Sequence, residues 1–464
     1  MATLLIKNGE IVSALDRLQA DVYIEGGTIR AIGSGLDCSA DRTIDAAGHY
    51  LFPGAIDVHT HMELGFMGEV STDDFESGTA AGIAGGTTSI IDFVVPGKRQ
   101  SLMDALNDWK GKAKKAVSDY GFHMAITRFD DQVEEEMAQC VRAGVTSFKA
   151  FMAYKGTTMV DDGEMISILK RAKSLGALVS AHCENGDIVA ELQSDLAAQG
   201  KLAPMYHEKS RPSFVEGEAT NRFTVLARAF EAPIYVVHVS CAEAVEAIGK
   251  ARSRGQTVFG ETCPQYLLLD DSVYQKPDFA GANYVISPPI RPKGHAEALW
   301  GALKSGQLQT VATDHCPFHF RGQKEMGRDD FRKIPNGGPG IENRLALMYT
   351  YGVLKNRISI NQLVDIVSTR PAQLFGMYPQ KGAIRVGSDA DIVVWNPEHE
   401  GVISAKTHRH RNDVSFYEGF RTKGAPTWVV ANGKVQMEEG KLSVERGAGR
   451  YIRRKPFQMI YSAC

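Results

Sequence analysis

Five short apolar runs of this chain each end on a side chain that can bind a metal ion, and the first run ends on two. That first run, residues 55–61, closes with His59 and His61. Both imidazoles point the same way because side chains in a strand repeat every second residue. Strands that converge with ligands at their carboxyl ends are typical of the mouth of a β/α barrel that holds metal. The other four runs end at Lys149, His182, His238 and Asp314.

Eight candidate strands alternate with helical stretches between about residues 52 and 375. Such alternation over short connections favours a parallel sheet, and eight parallel strands favour a closed barrel with its active site at the carboxyl face. The fold class is therefore α/β, a (β/α)8 TIM-like barrel. Its strands are expected near residues 55–59, 88–93, 122–126, 147–150, 178–182, 234–238, 257–261 and 310–314.

The sequence pattern at the two ends of the chain differs from that of the barrel. It predicts short strands joined by Asn-Gly and Gly-Gly turns. We expect both ends to meet in one small β-sandwich domain. Residues 1–51 would supply its N-terminal part, and residues 376–464 its C-terminal part and a tail. Residues 52–375 would form the metal-dependent catalytic barrel.

Composition excludes two classes of partner. The 464 residues include 52 basic and 55 acidic side chains, well mixed, with a net charge of −3, so no basic field is available for a nucleic-acid backbone. The apolar runs are too short to span a membrane, and the N-terminus lacks the features of a signal peptide. Seven scattered cysteines, an odd number, favour reduced thiols and a cytoplasmic location.

The donor set of four histidines, one lysine and one aspartate suits zinc, manganese or iron, and the lack of clustered cysteines argues against a closed structural zinc site. Lys149 is the unusual member because it stands in an apolar strand. A buried ammonium is costly, so this group either finds a partner or loses its proton. A neutral amine can react with carbon dioxide to form a carbamate, whose two oxygens could bridge two metal ions. The residues alone leave these outcomes open.

Contiguous motifs are distributed along nearly the whole chain: PGAIDVHTH (53–61), GGTTSIIDF (85–93), SFKAFMAYKG (147–156), AHCENGD (181–187), VHVSC (237–241), SPPIRP (287–292), TDHCPF (313–318), IPNGGPGIENR (334–344) and GSDADIVVWNP (387–397). On these motifs the chain resembles the cyclic amidohydrolases of the amidohydrolase superfamily, specifically the dihydropyrimidinase/D-hydantoinase family. The resemblance implies a site with two divalent metal ions, usually zinc. His59, His61 and Asp314 would hold the buried ion, and His182 and His238 the exposed one.

The resemblance also assigns the chemistry. Lys149, as N6-carboxylysine formed from carbon dioxide, would bridge the two ions, which together lower the pKa of water between them. Tyr154 would donate a hydrogen bond to the developing oxyanion. Asp314 would accept the proton of the attacking water and pass it to the departing amide nitrogen. The product would be an N-carbamoyl amino acid.

The family holds the CO–NH edge of its substrate largely with backbone groups, at positions that match Ser287 and Asn336. Both lie in loops rich in proline and glycine, which fix backbone geometry and permit close approach. The substituent on the substrate ring would meet a collar of bulky apolar side chains. Such a collar suits 5-substituted hydantoins and does not exclude dihydrouracil or dihydrothymine. The collar residues, expected in loops after strands 1, 2 and 4, are Met62, Leu64, Phe66, Phe151 and Met159.

Three relatives of the same fold are the alternatives. Dihydroorotase usually follows its His-x-His pair with an arginine that binds the substrate's carboxylate, whereas Met62 and Glu63 offer no cation here. Allantoinase fits residues 147–156 and 334–344 less well. A non-catalytic scaffold would have lost metal ligands, and this chain keeps all six. The resemblance further implies a homotetramer in which the C-terminal segment reaches a neighbouring subunit.

Overall fold

Two sheets and a short hairpin organise the computed structural model, which describes residues 2–458. Several helices begin at capping side chains; Asp130, for example, accepts a hydrogen bond from the Val133 amide at the start of the helix Asp131–Arg142. The strands, in chain order, are β1 (Thr3–Val12), β2 (Arg17–Glu25), β3 (Thr28–Gly33), β4 (Arg42–Asp45), β5 (Tyr50–Pro53), β6 (Ala55–Thr60), β7 (Gly65–Phe66), β8 (Glu69–Val70), β9 (Thr87–Val94), β10 (Asp119–Ala125), β11 (Ser147–Phe151), β12 (Leu178–His182), β13 (Ile234–Val236), β14 (Val258–Thr262), β15 (Thr310–Val311), β16 (Ile392–Val402), β17 (Arg421–Ala431), β18 (Lys434–Glu438) and β19 (Lys441–Leu442).

The α-helices are α1 (Phe75–Ala84), α2 (Leu102–Ala113), α3 (Asp131–Arg142), α4 (Asp162–Ser174), α5 (Gly186–Ala198), α6 (Tyr206–Lys209), α7 (Ser213–Ala229), α8 (Ala242–Ser253), α9 (Pro264–Leu268), α10 (His295–Lys304), α11 (Arg344–Leu347), α12 (Ile360–Val364) and α13 (Arg370–Leu374). Short 3₁₀ segments occur at Asp271–Gln275, Ala280–Tyr284, Lys324–Gly327 and Phe331–Lys333, and π-helical segments at Met348–Val353 and Asp365–Thr369. Within residues 2–458 no helix is long and apolar enough to cross a membrane.

The barrel contains all eight predicted strands, in the parallel order β6-β9-β10-β11-β12-β13-β14-β15. Two strands end earlier than predicted. β13 ends at Val236 and β15 at Val311, so the ligand positions that follow them lie in loops. The physical reason is backbone conformation, since His238 and Asp314 have φ values of 39° and 55°, which take the chain out of a strand ladder.

The barrel closes between its first strand and the segment that follows its last strand. The His61 amide donates to the His315 carbonyl at 2.9 Å, and the His315 amide donates to the His59 carbonyl at 3.3 Å. The Asp57 carboxylate adds a side-chain closure, accepting from the Thr313 amide at 3.2 Å and from its hydroxyl at 2.7 Å. Closure therefore brings the His-x-His pair against the segment that carries the predicted aspartate.

The terminal domain joins both ends of the chain, as predicted. Its strands form one nine-stranded sheet in the order β19-β18-β17-β16-β5-β1-β2-β3, with β4 beside β1. The antiparallel pairing of β5 with β16 connects the N-terminal part to the C-terminal part, and a separate apolar core with residues from both parts lies against the sheet. The domain boundaries at residues 51/52 and 375/376 stay predictions. Strand β5 of this sheet extends to Pro53.

The C-terminal tail packs on the amino-terminal face of its own barrel. The Ile452 amide donates to the Tyr120 carbonyl at 2.7 Å, and the Arg454 amide donates to the Gly144 carbonyl at 3.1 Å. The buried Arg454 guanidinium also donates to the Ser147 hydroxyl at 2.8 Å. The expected contact of this segment with a neighbouring subunit stays a prediction, and residues 459–464 lie outside the described residues.

Candidate metal centre

The six predicted ligand side chains converge at the carboxyl ends of the barrel strands. They come from β6 and the loop after it, from β11 and β12, and from the loops after β13 and β15. The side chain of Asp314 is 17% exposed and the other five are buried, so their polar atoms need partners within the barrel. These ligand positions are His59, His61, Lys149, His182, His238 and Asp314.

One half of the centre is a cluster of three donors. The Nε2 atoms of His59 and His61 each lie 3.1 Å from the Asp314 Oδ1 atom. His59 Nδ1 lies 2.6 Å from Glu261 Oε1, so Nδ1 carries the hydrogen and the Nε2 lone pair faces Asp314. Two acceptors that face each other at this distance need a cation or a proton between them. The donor set therefore fits a divalent cation.

The other half of the centre is a histidine pair. His182 Nδ1 lies 2.9 Å from His238 Nε2, and His182 Nε2 lies 2.7 Å from Glu184 Oε2. The Glu184 contact fixes the tautomer of His182 and turns its Nδ1 lone pair toward His238. Among residues 2–458, only the first cluster brings together three ligand atoms from histidine, cysteine or carboxylate side chains. The histidine pair would therefore need a further ligand of another kind.

Lys149 lies between the two halves. Its Nζ atom is 3.1 Å from His59 Nε2 and 4.2 Å from the centre of the Phe93 ring, and the described residues place no carboxylate within ion-pair distance. Burial lowers the pKa of this amine to about 8, and the Asp314 and Glu261 carboxylates offset the loss of hydration only in part. The neutral amine is therefore much easier to reach near neutral pH than it is for an exposed lysine.

Asp314 has the opposite electrostatics. Burial disfavours the charged carboxylate, but the positive charge of a protonated His59 and the hydrogen bonds that His59 and His61 then donate outweigh burial and hold the pKa of Asp314 well below its usual range. Asp314 is therefore an ionised carboxylate at neutral pH.

Three of the predicted site residues have strained backbones. Tyr154, His238 and Asp314 have φ values of 67°, 39° and 55°, in the left-handed region that is uncommon for residues other than glycine. Each such residue costs on the order of 1 kcal/mol and persists only where the surroundings enforce it, which occurs most often at functional sites.

Glu261 is a site residue that the sequence analysis did not identify. Its Oε1 atom accepts from His59 Nδ1 and, at 3.1 Å, from the His238 amide, while Oε2 accepts from the Tyr235 hydroxyl at 2.8 Å. One buried carboxylate thus contacts both halves of the centre. A signal was available, because Glu261 ends the seventh predicted strand at the same face as the ligands.

Glu184 and Arg211 are two further site residues that the sequence analysis did not identify. The Arg211 guanidinium donates to Glu184 Oε2 and lies 5.7 Å from the centre of the Tyr154 ring. Burial opposes ionisation of Glu184, but Arg211 and His182 lower its pKa to about 2. An ionised, buried pair therefore holds His182 on one side and contacts Tyr154 on the other.

The ligand side chains open into a cavity of about 490 Å³. Leu64, Phe66 and Phe151 line it as expected, together with Tyr154 and the two predicted loop residues Ser287 and Asn336. Met62 and Met159 do not reach the cavity wall. Met62 is fully buried against Gly78, and Met159 packs against Gly186. Lining residues that were not predicted include Met67, Val95, Thr157, Val189, Gln193 and Arg332.

Known proteins share both the sequence and this architecture. Residues 50–435 match the amidohydrolase family. A D-hydantoinase of Geobacillus stearothermophilus is 50% identical over 98% of this chain and 97% of its own length. The crystal structure of dihydropyrimidinase from Brevibacillus agri has a TM-score of 0.98 at 50% identity, covering 99% and 100% of the two chains. An L-hydantoinase (dihydropyrimidinase) from Arthrobacter aurescens has a TM-score of 0.89 at 31% identity, covering 97% and 99%.

Replacing Glu261 with glutamine tests its role at the centre. Glutamine keeps the shape but removes the charge that fixes the His59 tautomer, so we expect the affinity for Zn²⁺ to fall by about 10- to 100-fold. Equilibrium dialysis with metal analysis measures this change. Glu136→Gln is the matched control, because Glu136 is also buried and accepts hydrogen bonds from Ser101 and Leu102, away from the ligands. Equal Zn²⁺ affinities for both variants would contradict the assignment.

Proposed function

The chain belongs to the amidohydrolase family, and we propose that it is a dihydropyrimidinase/D-hydantoinase, which opens 5,6-dihydropyrimidines and 5-substituted hydantoins by hydrolysis at a two-metal site. It is a cyclic amidohydrolase, acting on C–N bonds in cyclic amides and releasing N-carbamoyl amino acids. The observation that carries this function is the 50% identity to a D-hydantoinase and to a dihydropyrimidinase, each over nearly the whole chain.

The metal ligands follow from the two halves of the centre. His59, His61 and Asp314 would hold one divalent ion, and His182 and His238 would hold the other. Imidazole and carboxylate donors suit zinc, our first choice, and also manganese or iron. When bound, two such ions polarise the scissile carbonyl and lower the pKa of water between them.

Lys149 completes the donor set as N6-carboxylysine. The neutral amine adds to carbon dioxide, forming an N–C bond and releasing one proton, and the product is a carbamate anion. Its two oxygens would offer further donors to the centre, including the half that has only two histidines. The change would also place an anion beside the metal ions, in place of an amine that becomes a buried cation when it is protonated. Its support is the burial of Lys149, the absence of a carboxylate partner in the described chain and the lowered pKa.

Asp314 and Tyr154 perform the proton transfer and stabilise charge. Asp314, ionised at neutral pH, accepts a proton from the attacking water and delivers it to the amide nitrogen as the C–N bond breaks. Burial raises the pKa of the Tyr154 hydroxyl, so this group stays protonated and donates to the oxyanion that forms on the carbonyl oxygen.

Ser287 and Asn336 hold the CO–NH edge of the ring with their peptide groups. The Asn336 side-chain amide donates to the Ser287 hydroxyl at 2.7 Å, which joins their two loops beside the cavity. Within residues 2–458 the main-chain N–H and C=O groups of both residues form no hydrogen bond. Free peptide donors and acceptors at a cavity wall are what a cyclic amide requires.

The ring substituent occupies the apolar part of the cavity. Leu64, Phe66 and Phe151 surround it directly, while Met62 and Met159 pack behind this wall.

We also propose a homotetramer and a cytoplasmic location. The first rests on the family resemblance. The second is supported by the cysteines, since every cysteine between residues 2 and 458 is a free thiol.

Steady-state kinetics with dihydrouracil and both enantiomers of 5-phenylhydantoin test the function. We expect turnover of dihydrouracil and of the D-hydantoin. We also expect kcat/KM for the D enantiomer to exceed that for the L enantiomer by about tenfold or more. A difference of one methylene group in the fit to an apolar pocket already changes kcat/KM by about tenfold. A preference for the L enantiomer would refute the D assignment. No ring opening of any of the three by metal-loaded protein would refute the function.

Replacing Asp314 with asparagine tests the proton transfer. The amide keeps an oxygen near the metal but cannot accept the proton, so we expect kcat to fall by about 10²- to 10⁴-fold while much of the metal stays bound. Metal analysis of the same preparation separates the two effects. A metal-loaded variant with normal kcat would contradict this role.

A further inference from the structure

Lys324 is a second buried lysine without an acidic partner. It lies in the loop after β15, its side chain is 1% exposed, and the described residues place no carboxylate within ion-pair distance of it. Its Nζ atom donates to the Val285 carbonyl at 2.9 Å and to the Gly337 carbonyl at 2.7 Å. Burying an amine in this way is costly, and here two main-chain acceptors provide the compensation.

The two acceptors belong to different loops, the ones that carry Ser287 and Asn336. Val285 precedes Ser287 by two residues, and Gly337 directly follows Asn336. The Gly337 amide donates to the same Val285 carbonyl at 3.1 Å. Lys324 therefore holds the two loops together from the side away from the cavity, and it does not line the cavity itself.

Other buried side chains occupy the carbonyls next to Ser287. The Ile286 carbonyl lies 2.7 Å from His207 Nε2, and the Pro288 carbonyl accepts from the Tyr266 hydroxyl at 2.8 Å. With Val285 bonded to Lys324, the carbonyls of residues 285, 286 and 288 are all occupied. The carbonyl of Ser287 is the one in this stretch that forms no hydrogen bond within residues 2–458. The bonded carbonyls on either side thus fix the position of the Ser287 peptide group, while the Ser287 carbonyl stays available to a ligand.

The second loop is held equally closely. Gly337 has a φ of 151°, and a Cβ atom there would lie 2.2 Å from the Cys316 carbonyl oxygen, so only glycine lets the backbone approach this far. That approach presents the Gly337 carbonyl to Lys324. The position of Asn336 therefore depends on a backbone contact that a buried amine stabilises.

We infer that Lys324 is a positioning residue for the substrate. By bonding the Val285 and Gly337 carbonyls, it fixes the spacing at which the peptide groups of Ser287 and Asn336 hold the CO–NH edge of a cyclic amide together. The inference rests on the proposed function. Burial lowers the pKa of Lys324 to about 7, and a neutral amine retains N–H groups for both carbonyls without the cost of a buried charge.

The test compares Lys324→Met and Lys324→Gln in the full-length, metal-loaded enzyme with dihydrouracil as substrate. Methionine keeps an apolar stem of similar length but removes both donors. We expect its KM to rise by about tenfold or more and kcat to change far less, because the loops hold the ground state and the transition state alike. Glutamine retains an N–H donor, so its KM should fall between those of Lys324→Met and the parent. Metal content should stay unchanged in both variants.

Lys276→Met is the matched control, because Lys276 donates to the Tyr284 hydroxyl beside the first loop and contacts neither carbonyl. Its KM should stay within about twofold of the parent value. An unchanged KM in Lys324→Met would overturn the inference while leaving the proposed function intact. Equal losses in kcat and metal content would also overturn it, as would an inactive Lys324→Met variant whose glutamine counterpart has a normal KM. Failure of the parent enzyme to open dihydrouracil would instead reject the proposed function.

Discussion

The contact between the first barrel strand and the segment after the last strand determines whether this chain has a site at all. Asp57 accepts two hydrogen bonds from Thr313, and the backbone of residues 59–61 pairs with His315 on the same line. These contacts join positions more than 250 residues apart in sequence. Without them the His-x-His pair and Asp314 would belong to opposite edges of an open sheet. Barrel closure therefore assembles the first half of the metal centre.

Buried charge is the second organising feature, and the chain handles it in two ways. The carboxylates of Glu261 and Glu184 each have close donors, and each orients a histidine of the centre. Two buried lysines, Lys149 and Lys324, have no carboxylate within ion-pair distance among residues 2–458. Lys149 faces the centre, where carboxylation would turn it into a ligand, whereas Lys324 faces two loop carbonyls and serves as a donor. Position in the fold thus gives the same residue type two different uses.

Much of the barrel and the ligand set was predictable from sequence, because strand periodicity is local and a ligand at the end of a strand is visible in the same few residues. The structure has all eight predicted strands and brings the six predicted ligands together. Glu261, Arg211 and Lys324 were not identified, since their importance depends on contacts with distant elements that no local pattern reveals. The early end of β15 was also missed, because sequence does not disclose the left-handed backbone at Asp314.

A crystal structure of the zinc-loaded protein, with anomalous scattering recorded at the zinc edge, tests the two-metal site most directly. The expected result is two anomalous peaks, one among His59, His61 and Asp314 and one between His182 and His238. Density for a carboxylate on the Lys149 Nζ atom should lie between them. A single peak in fully loaded crystals, or an unmodified Lys149 amine beside two ions, would contradict the bridged two-metal site.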